Sequence, residues 1–119
     1  RNTYILAPVA LDRNLSLKKR PNIKIAGQLS GVEGYVESSA CGLLAAIYTY
    51  QELTNSQYDP IPLNTMLGSL INYLIMSSPK HFSPMNATYG ILRAGTKDKE
   101  QIYQNSLKTI SEWKKKNNC

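Results

Sequence analysis

Three glycines, Gly27, Gly31 and Gly34, stand between an alternating run, Ile23-Lys24-Ile25-Ala26, and a segment with helical spacing that begins near Glu33. This junction constrains the fold more than any other feature of the sequence. The alternation is that of a strand, and the apolar positions Val36, Ala40, Leu43, Leu44 and Ile47 recur with the period of a helix running to about Leu53. A strand that passes through glycines into a helix start brings backbone amides close to whatever lies in front of it. Glycine permits a close approach, and the first amides of a helix have no partner within the helix and attract electron-rich oxygens. The spacing is not G-x-G-x-x-G, so the first dinucleotide fingerprint is absent here, and a turn that serves only helix packing has the same composition.

The rest of the chain arranges itself around that junction. Residues 3–7 read as a short strand, and residues 8–22 as an irregular connection holding Pro8, Asp12, Asn14 and Pro21. After the long helix, Asn55, Asp59, Pro60 and Pro62 mark a loop. A second helix is expected over about 63–76, with Leu67, Leu70, Ile71, Leu74 and Ile75 on one stripe. Pro79 and Pro84 close it, Phe82 to Leu92 is irregular or extended, and a third helix is expected over 98–116 with Ile102, Leu107, Ile110 and Trp113 as candidates for burial. With 119 residues, 42% of them hydrophobic, the chain is the size of one small domain with a modest core. It begins without an initiator Met or a targeting signature, as if in mid-protein, and no apolar run approaches the roughly 18 residues of a membrane span. A cytoplasmic location with no membrane partner is the expectation.

Charge is unevenly placed along a chain of net charge +6: basic ends flank a middle that is not basic. Lys18-Lys19-Arg20 can neutralise phosphates and contact RNA, or simply be a solvated loop. Lys114-Lys115-Lys116 suits the end of a helix, where the macrodipole favours cations. Cys41 and Cys119 are too few and too far apart for a disulfide framework or a zinc site. Cys41, among Ala40, Leu44 and Ala45, reads as a small buried hydrophobe rather than a nucleophile, Cys119 as a mobile terminal residue, and His81 as a loop residue without an orienting partner. No catalytic residue and no metal ligand is expected.

The run Gly27-Gln28-Leu29-Ser30-Gly31-Val32-Glu33-Gly34-Tyr35-Val36-Glu37-Ser38 resembles the signature of the folate- and FAD-dependent tRNA (uracil-5-)-methyltransferases, the TrmFO family. Similar blocks follow the family's order: Arg1-Asn2-Thr3-Tyr4-Ile5, Lys19-Arg20-Pro21-Asn22-Ile23, Gly42-Leu43-Leu44-Ala45, Leu67-Gly68-Ser69-Leu70 and Phe82-Ser83-Pro84-Met85-Asn86-Ala87. They span most of residues 1–92. The resemblance implies an α/β fold, the C-terminal part of a Rossmann-like FAD-binding domain, mainly helical with a few short strands over 1–119. It also implies a parent enzyme that takes a one-carbon unit from methylenetetrahydrofolate, reduces it with reduced FAD and NAD(P)H, and leaves a methyl on C5 of a uridine in the T-loop of tRNA. Gly27, Gln28, Gly31, Val32, Glu33, Gly34 and Tyr35 would form its second flavin-contacting turn.

The family's dinucleotide fingerprint and catalytic cysteines belong to an N-terminal region upstream of such residues, so the chain alone is expected to be inactive and to hold no cofactor tightly. It is also expected to self-associate or to be partly disordered at its ends, since a piece of a larger sheet leaves strand edges and apolar faces uncovered. The alternatives are the same chemistry on a ribosomal RNA uridine, a non-enzymatic RNA-binding or interaction module, and the tRNA wobble-uridine carboxymethylaminomethyl-modifying flavoproteins, which share a similar Gly-Gln turn but fit Val32-Glu33 and Pro84-Met85-Asn86-Ala87 poorly.

Overall fold

A computed structural model describes residues 3–118. Arg1, Asn2 and Cys119 lie outside the described residues, and with them the expectation about Cys119. The order is α1 (Ala7–Ala10), β1 (Ser16–Leu17), β2 (Arg20–Lys24), a 3-10 turn (Gly27–Ser30), α2 (Tyr35–Leu53), α3 (Met66–Met76), a second 3-10 turn (Tyr89–Ile91) and α4 (Lys99–Lys116). The described chain is mostly helical, with one two-stranded antiparallel sheet, β1-β2.

The N-terminal expectations need correction. Residues 3–7 form no strand: a single bond from the Ile5 N–H to the Leu29 carbonyl ties that stretch to the turn, and Pro8, with φ pre-set for a helix start, opens α1 instead. Residues 8–22 are not merely irregular, for they hold α1 and the hairpin. Asn14 accepts from the Ser16 N–H at 3.1 Å and holds the chain where Leu15 adopts a φ of 69°. β2 sits at Arg20–Lys24 rather than Ile23–Ala26, and it pairs with β1. The hairpin is tied to α2 by the Lys24 ammonium, 2.7 Å from Glu52.

The helices follow the sequence more closely, although their buried faces do not always. α2 buries Cys41, Leu44, Tyr48 and Gln51, a stripe at helical spacing rotated away from the expected one, so that Val36 and Leu43 face solvent. α3 buries Leu70, Ile71 and Leu74 as expected, with Leu67 and Ile75 packed at the margin. Its N-cap is Thr65, whose Oγ1 accepts from the Gly68 N–H at 3.0 Å. α4 buries Trp113 and leaves Leu107 exposed. Asp98 caps its start, and Lys114, Lys115 and Lys116 occupy its last turn, where cations suit the carbonyl end. These stripes meet Ala7, Leu11, Leu15, Val32, Ile61 and Phe82 in one core. Each fully buried large side chain there contributes about 1.5–3 kcal/mol. Phe82 to Leu92 is irregular as expected, apart from the second 3-10 turn.

Candidate cofactor turn at the start of α2

The junction picked out in the sequence is a tight 3-10 turn followed by a short extended link. Gly27 and Ser30 are buried, and the Ser30 hydroxyl donates to the Gly27 carbonyl at 2.6 Å. The Val32 N–H donates to the same carbonyl, and the Gly31 N–H to that of Gln28. Val32 then forms a parallel bridge with Met85: the Met85 N–H donates to the Gly31 carbonyl at 2.9 Å, and the Glu33 N–H to the Met85 carbonyl at 3.0 Å. The block Pro84 to Ala87, far off in sequence, is therefore the second wall of the turn. The sequence pattern gave that block no structural role.

Gly31 and Gly34 both have a positive φ, 98° and 99°, for different surroundings. A Cβ on Gly31 would lie 2.6 Å from the Phe82 ring, in the core. A Cβ on Gly34 would run into the Glu37 carboxylate, which folds back over it. That carboxylate accepts from the Ala87 N–H at 3.1 Å. Its own backbone amide and that of Ala87 hold its pKa below the usual value. Glu37 thus pins the start of α2 to the Met85 segment, a role no sequence motif announced.

Gly34 is the N-cap of α2 and has no side chain to cap it, while the Glu37 carboxylate accepts from its own backbone amide in the first turn. Around that helix start the protein presents apolar groups outward: Tyr35 is 95% and Val36 80% exposed, and Leu29 lies open nearby. Gln28 is exposed, Glu33 half-buried and Val32 fully buried, so Val32 supports the turn from behind. A flat ring with carbonyl oxygens fits such a surface, with helix-start amides for the oxygens and apolar side chains for the ring face. These residues fit the flavin end of FAD as one wall of a site. The amides that would grip a pyrophosphate are not supplied by this turn.

The other candidates resolve simply. Lys18 and Lys19 form the tip of the β1-β2 hairpin, with Arg20 opening β2, and all three are exposed. Cys41 is buried on α2, and burial, with the Glu37 charge adding to it, pushes its thiol up to about 11, which suits a core residue and not a nucleophile. His81 is exposed in a turn. Among the described residues no three His, Cys, Asp or Glu side chains cluster as metal ligands, and no helix is long and apolar enough to cross a membrane.

The family model described as "Glucose inhibited division protein A", GIDA, matches residues 1–57, which include the whole turn. The chain is 50% identical over 91 residues, 76% of its length, to "Methylenetetrahydrofolate--tRNA-(uracil-5-)-methyltransferase TrmFO" of Desulforudis audaxviator. It is 38% identical over 123 aligned positions, 98% of its length, to the protein of the same name from Syntrophotalea carbinolica, and 46% identical over 94 to that of Lactobacillus acidophilus. Over most of its length the chain is similar to TrmFO proteins. It spans 21%, 27% and 22% of the length of these three relatives. The fold brings the blocks Gly27 to Ser38 and Pro84 to Ala87 together as neighbouring walls of one turn.

Proposed function

We propose that these residues are the part of a TrmFO enzyme that closes the flavin end of its FAD site, within a Rossmann-like FAD-binding domain, and that the whole enzyme methylates C5 of a uridine in tRNA. The relatives' names specify tRNA and a methylenetetrahydrofolate donor, which favours tRNA over ribosomal RNA and over a non-enzymatic module. The observation that carries the reading is the start of α2, framed by Gly31, Gly34 and the outward-facing Tyr35 and Val36. Bound FAD would supply reducing electrons, drawn from NAD(P)H, for the one-carbon unit. Around it, Gly34 and Tyr35 offer amides to the ring's oxygens, Gly27 and Gln28 fix the turn, Gly31 and Val32 anchor it to the core, and Glu33 and Glu37 bind it to the Met85 segment. Lys18, Lys19 and Arg20, on an exposed hairpin tip, are placed to meet phosphates of the RNA.

Grafting residues 1–92 into the Desulforudis audaxviator TrmFO in place of its own segment tests this. The chimera should retain flavin and transfer a methyl from methylenetetrahydrofolate to a tRNA transcript. The 119-residue chain alone should be colourless and inactive, because the grip on the pyrophosphate and the nucleophile that attacks uracil belong to other parts of such an enzyme. A folded chimera without flavin, or a yellow or active isolated chain, would overturn the proposal.

A further inference from the structure

α2 turns an apolar face to solvent along its whole length, about 28 Å at the helical rise. Val36, Leu43, Tyr50 and Leu53 stand on it, each between 65% and 80% exposed. The helix holds two charged residues among 19, and both are engaged by other parts of the chain: the Glu37 carboxylate accepts from the Ala87 N–H, and that of Glu52 from the Lys24 ammonium and the Asn14 amide. The outer face has no charge of its own. A surface helix ordinarily puts its charged and polar groups there, and one that is hydrophobic on both sides is covered on both.

Between the large side chains lie three small residues, Ser39, Gly42 and Ala46, all exposed. Gly42, near the middle of the face, is the informative one. A Cβ added to it would meet no atom within 4 Å. Among the described residues nothing asks for glycine at this place, and glycine is the poorest helix former after proline. Its remaining use is to let another backbone come close. In the block Gly42-Leu43-Leu44-Ala45, Leu44 belongs to the core and Ala45 packs against it, whereas Gly42 and Leu43 lie outside that cluster.

We propose that this face docks the part of the same enzyme that grips the FAD pyrophosphate, with a helix of that part crossing α2 most closely at Gly42. This rests on the functional proposal above and deepens it. Two observations choose the occupant. The chain spans 21–27% of the length of the three relatives, so most of such an enzyme lies outside it. The face also starts at the cofactor turn, which has no grip for the pyrophosphate. The amides that hold a pyrophosphate come from the start of a helix, and a helix aimed at the same ligand as α2 begins beside α2 and can run against it. A second copy of this chain would bring only a second turn with the same lack.

The test places one substitution in two settings, the 119-residue chain and the chimera that carries residues 1–92. Gly42→Gln should raise the urea midpoint of the isolated chain by about 0.3 M, because a better helix former enters open space. In the chimera the same side chain meets the docked helix, and the thermal midpoint should fall by about 3 °C. Leu43→Glu should lower the chimera's midpoint further, since there it buries a charge, while sparing the isolated chain. The gain in the isolated chain separates a lost docking contact from a variant that merely folds badly. Shifts of the same sign for Gly42→Gln in both settings, or no shift in the chimera, would overturn the inference. So would a dimeric chimera that Leu43→Glu converts, in sedimentation velocity, to a monomer still holding flavin, which would assign the face to a second copy. A flavin-holding chimera indifferent to Gly42→Gln sinks only this inference, and a folded but flavin-free chimera with the opposite shifts sinks only the functional proposal.

Discussion

Replacing Gly31 by alanine probes whether the turn is built from the core outward. Two costs add at this position. The residue has φ 98° and ψ 17°, a left-handed conformation that costs an ordinary residue about 1–2 kcal/mol. The new methyl would also sit 2.6 Å from Phe82 Cζ and 3.1 Å from Cε2, with Leu74 behind, so the buried ring must move. Overpacking of this kind costs about 1–3 kcal/mol. The expected loss is therefore about 2–5 kcal/mol, a large share of the 5–15 kcal/mol by which a domain is stable. Urea unfolding of the chain, followed by circular dichroism and by fluorescence of the single Trp113, measures it. The expectation is a lower midpoint with an unchanged slope. A loss under about 0.5 kcal/mol, the scatter expected of an ordinary surface change, would refute the reasoning and return Gly31 to a purely cofactor-facing role. The family resemblance implies a flavin contact at Gly31; in the structure a side chain there meets Phe82.

Other substitutions test other joints. Tyr48 is buried and its hydroxyl oxygen accepts the Ile61 N–H at 2.9 Å, so Tyr48→Phe strands a buried amide and should cost about 1–3 kcal/mol in the same unfolding assay. Glu37 has a folded pKa held below its ordinary 4.5, so its contribution is full above that value and is lost as pH falls through the folded value. Glu37→Gln should accordingly be less stable than the parent at neutral pH, with the gap closing in acid, and a gap independent of pH would contradict the role given to that carboxylate. Leu43→Glu, on the outward face of α2, should reduce self-association of the isolated chain in sedimentation velocity without lowering its melting temperature; a chain that is monomeric before the change would refute this.

The helices were legible because their signals are local. Thr65 and Asp98 are caps, Pro60 and Pro62 precede α3, and the apolar stripe of α3 repeats without interruption, so boundaries fell within a few residues of expectation. The hairpin was not legible, because β1 is two residues long and its bend depends on Leu15 taking a left-handed φ that Asn14 stabilises from the side. Periodicity has no purchase on an element that short. The N-terminal apolar run Tyr4-Ile5-Leu6 misled for a related reason: with no ladder partner, it makes one bond to Leu29 and then yields to the helix that Pro8 starts.

The face of α2 is the instructive case for the site. Its residues carry two apolar stripes, one through Cys41, Leu44 and Tyr48 and one through Val36, Leu43 and Tyr50. Sequence spacing mixes the two, since both repeat with the helical period and differ only by rotation about the axis. The core selects the first stripe, because Tyr48 can place its hydroxyl on the Ile61 amide and Cys41 is small enough to be fully buried in the same cluster. The second stripe is thereby committed to the outside: it begins at Tyr35 and Val36 beside the cofactor turn and ends at Tyr50. A helix that is apolar on two sides has a second surface to cover, and in α2 that surface runs the length of the element, so substrate or protein laid along it would touch both ends at once.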